Sequence, residues 1–309
     1  MSSGSLQLAL YFQNSCCLNP MKCLWRCPRS SPRIVEISTF EHPSFTKRAM
    51  RPSRVLKKLR AGEFVITANV NRVAEPWLAE VIGRIGFDVI WFDMEHRAFG
   101  YDKIDGVSLA CRSTGIDLMV RVLKTGYTSP MRALEFGANG ILVPHCLSVE
   151  EARQWVEWVR FPPLGRRGFD GAGADADYAL ADPKEYLAHA NDEVFLALQV
   201  EDKECVEVVD EIAAVPGVDL LFVGPGDLSI SYGVPFQFDH PLVQSAIDRV
   251  ASAALKAGKW WGIPTGSPEQ AQSYLDRGAR LITAGNDHAF LLRGFQQAFE
   301  EFNQIGVRT

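Results

Sequence analysis

From residue 55 to the C-terminus, short β-branched or aromatic-rich apolar runs alternate with longer stretches of helical period, and this alternation constrains the fold more than any other feature. A short apolar run buried on both faces and followed by an amphipathic helix is a βα unit, and serial βα units build a parallel sheet. Strands are predicted at 64–70, 88–95, 117–122, 140–145, 194–201, 219–224, 259–264 and 280–285. Eight such units in about 250 residues predict a closed (β/α)8 TIM barrel in preference to an open doubly wound sheet. Gly86, Gly137 and Gly278 each precede a run, where a left-handed residue ends the foregoing helix.

Residues 1–49 lack this periodicity and mix Ser, Cys, Pro and Arg, so the barrel is assigned to 50–309 and the first segment is expected to lie outside it. Two explanations apply: a start codon upstream of the true one at Met50, which we prefer, or a basic targeting segment, since no acid precedes Glu36. The apolar stretch 6–12 is too short for a secretory signal. A net charge of -5, with Lys and Arg only in short scattered pairs, offers no footprint for nucleic acid or anionic lipid. No apolar run approaches the roughly 20 residues that span a bilayer. Of the cysteines, Cys16, Cys17, Cys23 and Cys27 lack the paired spacing of a zinc cluster, while Cys111, Cys146 and Cys205 read as reduced thiols of a cytoplasmic protein. Between the fourth and fifth runs, a helix at 150–160 leads into a Pro/Gly/Ala/Asp-rich stretch ending near Leu180. Lying after a barrel strand, that stretch is expected as a functional loop at the catalytic face.

Polar residues at the C-terminal ends of barrel strands carry the chemistry, because the interior is otherwise filled with apolar side chains. Here the second strand ends Asp93-Met94-Glu95-His96, the third runs into Arg121, the fifth ends Gln199-Val200-Glu201, and the sixth leads into Gly224-Pro225-Gly226-Asp227-Leu228-Ser229. Glu201 and Asp227 come from neighbouring strands. Either each caps the helix that follows it, or the two carboxylates converge on one hard cation such as Mg²⁺ or Mn²⁺. His96, beside Asp93 and Glu95, reads as a base oriented by a carboxylate. Arg121 offers a fork for a carboxylate of the substrate, and His145 reads as pocket lining.

With these residues in place, the chain resembles the HpcH/HpaI family of metal-dependent 2-oxo acid aldolases from about residue 55 to residue 303. The likeness rests on Gly86-Phe87-Asp88 leading to Asp93-Met94-Glu95-His96, Gly140-Ile141-Leu142-Val143-Pro144, Arg160-Phe161-Pro162-Pro163-Leu164-Gly165-Arg166-Arg167-Gly168, Gln199-Val200-Glu201, and Val215-Pro216-Gly217-Val218-Asp219 running into Gly224-Pro225-Gly226-Asp227-Leu228-Ser229. It implies a class II aldolase that cleaves a 4-hydroxy-2-oxo acid to pyruvate, or a related 2-oxo acid, and an aldehyde. Glu201 and Asp227 would hold the divalent cation (Mg²⁺, Mn²⁺ or Co²⁺), with Gln199 beside it. Arg121 would contact the oxo acid, and His96 would serve as acid and base together with a water on the metal. Backbone amides around Gly226 and Asp227 would hold the substrate carboxylate, with Ser229 in the same segment. Where the family pairs its His with an Asp of the neighbouring subunit, this chain has Glu135, in Ala133-Leu134-Glu135-Phe136-Gly137-Ala138. The resemblance also implies a homo-oligomer, commonly a hexamer with a swapped C-terminal helix, for which 290–302 is the counterpart.

Two departures concern the aldehyde side of the pocket. Val122-Leu123-Lys124-Thr125-Gly126-Tyr127 replaces the family's Pro-x-x-Asn-Asp, and Pro264 replaces a Leu after Gly262-Ile263. The competing readings are a CoA-ester lyase of the citryl- or malyl-CoA type, which would need a basic patch that the chain lacks, and a barrel that binds a metabolite without turnover.

Overall fold

The computed structural model describes residues 50–307. The expectations for 1–49, including its four cysteines, lie outside the described residues. In chain order the elements are α1 (Arg54–Arg60), β1 (Val65–Val70), α2 (Pro76–Ile85), β2 (Val89–Asp93), α3 (Tyr101–Thr114), β3 (Asp117–Arg121), α4 (Thr128–Glu135), β4 (Gly140–Val143) and α5 (Val149–Val159). After a 3-10 turn at Ala174–Ala179 follow α6 (Pro183–Glu193), β5 (Phe195–Val200), α7 (Lys203–Glu207), α8 (Val209–Ala213), β6 (Leu220–Val223), α9 (Pro225–Ser231), α10 (Pro241–Lys256), β7 (Trp260–Pro264), α11 (Pro268–Asp276), β8 (Leu281–Asn286) and α12 (Asp287–Asn303). All eight strands pair in parallel with their sequence neighbours, and β8 returns to β1, with Val65 opposite Leu281, to close the barrel. Each strand falls where the hydrophobic pattern places it. The predictions overrun mainly at the C-terminal ends of β2 and β4, where Glu95 and His145 have already turned out of the ladder. Gly86, Gly137 and Gly278 take φ of 114°, 98° and 92°, in the left-handed region expected of them.

Strand periodicity divides the core in two. Val89, Trp91, Met119, Leu142, Phe195, Ala197, Leu220, Phe222 and Leu281 fill the barrel. The alternate positions, among them Ile90, Phe92, Leu118, Val120, Leu196, Leu198 and Val200, pack against the helices. This parity decides what reaches the mouth: continuing the inward set one or two steps brings Asp93, Arg121, Gln199 and Glu201 to the C-terminal rim. The opposite end is closed by α1, whose Val55, Leu56 and Leu59 join the interior cluster. Charge fixes this plug. Asp117, at the start of β3, accepts the Ser53 hydroxyl and the Val55 amide, and Asp88, just before β2, takes Arg54 at 2.8 Å and Lys58 at 2.7 Å.

The stretch 161–180 does not lie where the sequence suggests. It leaves the C-terminal end of α5, not a strand, and a helix descending from the mouth ends at the barrel's N-terminal face. Arg160 ties that end together by donating to the carbonyls of Asn191, Val194 and Gly217 and to the Asp219 carboxylate. The stretch then follows α4, with the Gly168 amide donating to the Tyr127 hydroxyl and Gly173 packed against the backbone of Glu135. Its Ala174, Asp175 and Asp177 line a cleft with Arg51, Asn139 and Glu193, remote from the strand C-termini.

In α12 only Asp287 is buried, accepting the amides of Asn71, Arg72 and Val73. Phe295, Phe299 and Phe302 are 73%, 71% and 73% exposed. No helix among the described residues is long and apolar enough to cross a membrane.

Candidate active site

At the mouth, Asp93 ends β2 and Arg121 ends β3 in direct register. Their side chains form a two-pronged pair, Arg121 Nε donating to Oδ1 at 2.9 Å and Nη2 to Oδ2 at 2.8 Å. Arg121 Nη1 lies 3.0 Å from Glu95, and the guanidinium stacks 5.0 Å from the centre of the Trp91 ring. Burial of Asp93 opposes its ionisation, but the hydrogen bonds and charge of Arg121 outweigh that and hold its carboxyl below the usual range. Asp93 therefore orients the arginine. Of the two carboxylates expected beside His96, Asp93 is not the one at its ring; it accepts the backbone amide of Glu95 at 3.0 Å. The carboxylate nearest the His96 imidazole is Glu95, 3.6 Å from Nε2, and His96 stands at the rim with its side chain 54% exposed.

Across the barrel, Gln199 and Glu201 point inward from the end of β5, and both are buried. Gln199 Nε2 donates to Glu201 Oε2, while its own Oε1 is buried without a donor. Burial pushes the Glu201 carboxyl up to about 7, and the negative charge of Asp227 adds to the effect against the hydrogen bond and charge of His145. Asp227, in the first turn of α9, is exposed beside it. Gly224 makes room for this pair, since a Cβ there would sit 2.4 Å from Glu201 Oε2 and 2.8 Å from its Cβ. At Gly226, by contrast, a Cβ would meet nothing within 4 Å, and the first-turn amides of α9 have no intrahelical acceptor.

His145, expected as pocket lining, enters this cluster of carboxylates. It follows β4 and Pro144 with φ of 46°, a left-handed conformation that costs an L-residue about 1–2 kcal/mol and is held only by its surroundings. Its amide donates to Glu201 Oε1 at 2.8 Å and its carbonyl accepts Lys124 Nζ at 2.7 Å. Its Nδ1 lies 2.9 Å from Asp202 Oδ2 and 3.6 Å from Glu201 Oε1, and Nε2 lies 3.8 Å from Glu95 Oε1. Burial opposes its charge, but Asp202, Glu201 and Glu95 together raise its pKa above the ordinary value. The available signal is positional: Pro144-His145 terminates a strand just as Asp93 and Arg121 do.

Two other expected residues lie elsewhere. Glu135 is at the end of α4, on the outside of its own barrel, where burial pushes its carboxyl up against the opposing charge of Arg167. Ser229 is fully buried behind the mouth; its hydroxyl donates to the Gly226 carbonyl and accepts the Phe236 amide, so it braces the loop and faces no ligand.

Among the described residues, Glu201, Asp227 and His145 form a group whose potential ligand atoms all lie within 4.8 Å of one another. Three features of the mouth suit a cation. Asp93, Glu95, Glu201, Asp202 and Asp227 outnumber the single guanidinium at the strand ends. Glu201 is a buried carboxylate whose ion-pair partner among the described residues is an imidazole, with His145 Nδ1 3.6 Å from Oε1. The bare Gln199 oxygen asks for a donor or an ion.

A closed parallel barrel with charged groups gathered at the strand C-termini has the architecture in which (β/α)8 enzymes place their active sites. Known proteins narrow the class. The profile of the HpcH/HpaI aldolase/citrate lyase family matches residues 71–293. A 2-dehydro-3,6-dideoxy-6-sulfogluconate aldolase of Pseudomonas putida is 36% identical over 69% of this chain and 83% of its own. A hydroxypyruvate/pyruvate aldolase of Pseudomonas aeruginosa is 33% identical over 81% of this chain and 92% of its own. The crystal structure of an HpcH/HpaI aldolase from Desulfitobacterium hafniense DCB-2 superposes with a TM-score of 0.77 at 30% identity, over 80% of this chain and 96% of that one. The chain belongs to the HpcH/HpaI family. It is an aldolase, a carbon–carbon lyase of small-molecule 2-oxo acids.

Proposed function

We propose that this aldolase depends on a divalent cation held at Glu201 and Asp227, and that it cleaves 4-hydroxy-2-oxo acids to pyruvate, or a related 2-oxo acid, and an aldehyde. The observation that carries this reading is the convergence of the buried Glu201 with Asp227 and His145, in a mouth whose guanidinium is already paired with Asp93 and Glu95. When bound there, a divalent ion supplies Lewis acidity toward the 2-oxo group as the C3–C4 bond breaks.

The chain's own groups do the remaining work. Asp93 and Glu95 hold Arg121 in one orientation, so that its remaining N–H groups meet the oxo acid without reorganisation. Amides of Gly226 and Asp227 receive the substrate carboxylate at the open start of α9. His96, at the rim beside Glu95, takes the proton lost by the 4-hydroxyl, and a proton delivered to C3 completes pyruvate. Glu135, pointing away from its own mouth, serves a neighbouring subunit's His96. The bare apolar face of α12 supports a homo-oligomer, hexameric as in the family, with α12 packed on a neighbour. The three free, buried thiols fit a cytoplasmic enzyme.

The test is pyruvate release from a panel of 4-hydroxy-2-oxo acids, coupled to NADH oxidation, with EDTA or added Mg²⁺, Mn²⁺ or Co²⁺. Release restored by metal is expected. Silence across the panel from protein with bound metal would move the assignment to a CoA-ester lyase or a binding protein.

A further inference from the structure

The family resemblance assigns the cation to two carboxylates, yet the mouth of this chain places an imidazole against them. We infer that His145 is a third protein ligand, giving an N,O,O donor set that selects a first-row transition-metal ion over Mg²⁺. This inference rests on the metal-dependent reading above and deepens it.

Four observations carry it. First, a ring nitrogen of His145 and carboxylate oxygens of Glu201 and Asp227 lie within 4.8 Å of one another. Ligand atoms bound at about 2.0–2.2 Å stand at most about 4.4 Å apart across the ion, so only a few tenths of an ångström of contraction is needed. Second, both backbone groups of His145 are pinned, the amide by the ligand Glu201 itself and the carbonyl by Lys124. The ring is thus carried by the same carboxylate that it would share the ion with. Third, Asp202 Oδ2 sits 2.9 Å from Nδ1. Metal-binding histidines as a rule have a carboxylate partner on the ring, which fixes its orientation. Fourth, the backbone of His145 takes the left-handed conformation at φ 46°, which a histidine placed merely to line a pocket does not require. Oxygen donors alone suit Mg²⁺, whereas an imidazole favours Mn²⁺, Co²⁺, Ni²⁺ or Zn²⁺, with affinity rising along that first-row series toward copper.

The test reads coordination directly. The full chain is loaded with Mn²⁺, and pulsed electron paramagnetic resonance is used to detect a nitrogen directly bonded to the ion. Expected is a ¹⁴N coupling in the wild type that changes when the protein is labelled with [¹⁵N]histidine, disappears in His145→Ala and persists in His96→Gln. In parallel, calorimetry should show His145→Ala losing at least about tenfold in Co²⁺ affinity, with little change for Mg²⁺. His145→Gln, which exchanges the nitrogen for an oxygen donor, should lower the Co²⁺ to Mg²⁺ preference. If His145→Ala fails to fold, loss of the [¹⁵N]histidine-sensitive coupling in His145→Gln decides. Stoichiometric Mn²⁺ without histidine nitrogen coupling would overturn this inference and leave the metal-dependent aldolase standing; no binding of Mn²⁺, Co²⁺ or Mg²⁺ would overturn both.

Discussion

Glu201→Gln should make the metal-free protein more stable and the metal-loaded protein less so. Glu201 is 1% exposed, and burial moves its carboxyl from 4.5 to about 7. A shift of that size is a penalty of roughly 3 kcal/mol on the ionised form. Because the folded-state value lies above the unfolded one, the folded protein binds the proton more tightly. The penalty is absent below pH 4.5, grows between 4.5 and 7 and is complete above that window. The substitution removes the charge at constant volume. The His145 amide keeps an oxygen to donate to, and Gln199 can turn its amide so that its bare Oε1 accepts from the new Nε2–H. In EDTA at about pH 8 the variant should therefore exceed the wild type by roughly 2–3 kcal/mol, and near pH 4.5 the two should coincide. With Mn²⁺ at about 100 times its Kd, the wild type should gain ~2.7 kcal/mol and the variant almost nothing, which reverses the order. Urea unfolding followed by circular dichroism, at one protomer concentration so that assembly contributes equally, measures both effects. A variant less stable than the wild type in EDTA at pH 8 would refute the claim that burial penalises the ionised Glu201 carboxylate.

Asp93→Asn removes the two-pronged partner of the buried Arg121 and leaves Glu95 alone to balance it, which should cost about 1.5–3 kcal/mol in urea unfolding. Since the Asp93 carboxyl lies below its ordinary value, that gap should narrow as pH falls below about 4; a loss under 1 kcal/mol at neutral pH would mean the pair is incidental. Gly224→Ala drives a Cβ into Glu201 and should weaken Mn²⁺ binding by about tenfold or more, whereas Gly226→Ala, with open space around it, should keep metal affinity and raise KM. Calorimetry and initial rates separate the two, and wild-type Mn²⁺ affinity in Gly224→Ala would remove the glycine from the argument. Phe295→Glu with Phe299→Glu should lower the oligomeric state in analytical ultracentrifugation, and an unchanged assembly would exclude α12 from the subunit interface.

The architecture is legible in the sequence because strand and helix periodicities are local: each apolar run announces its own strand, and the number of runs announces closure. Residue parity along a strand is equally local, so Asp93, Arg121, Gln199 and Glu201 can be assigned to the mouth without coordinates. Their partners cannot be assigned in this way. Asp93 lies next to His96 in the chain yet binds Arg121, 28 positions away, because neighbouring strands in register bring their ends together. His145 reaches Glu201 across 56 positions for the same reason, which turns an apparent lining residue into a member of the charged cluster. The stretch 161–180 follows a strand in sequence, but the intervening α5 carries it to the far end of the barrel. Ser229 belongs to a motif whose backbone faces the mouth, while its hydroxyl turns back to Gly226 and Phe236. The sequence by itself determined the barrel, its family and the residues at its rim, since these follow from patterns within single elements. The tertiary structure alone decided which of those residues pair, which carboxylate burial penalises and which face inward as a group, since those are set by the closure of the sheet.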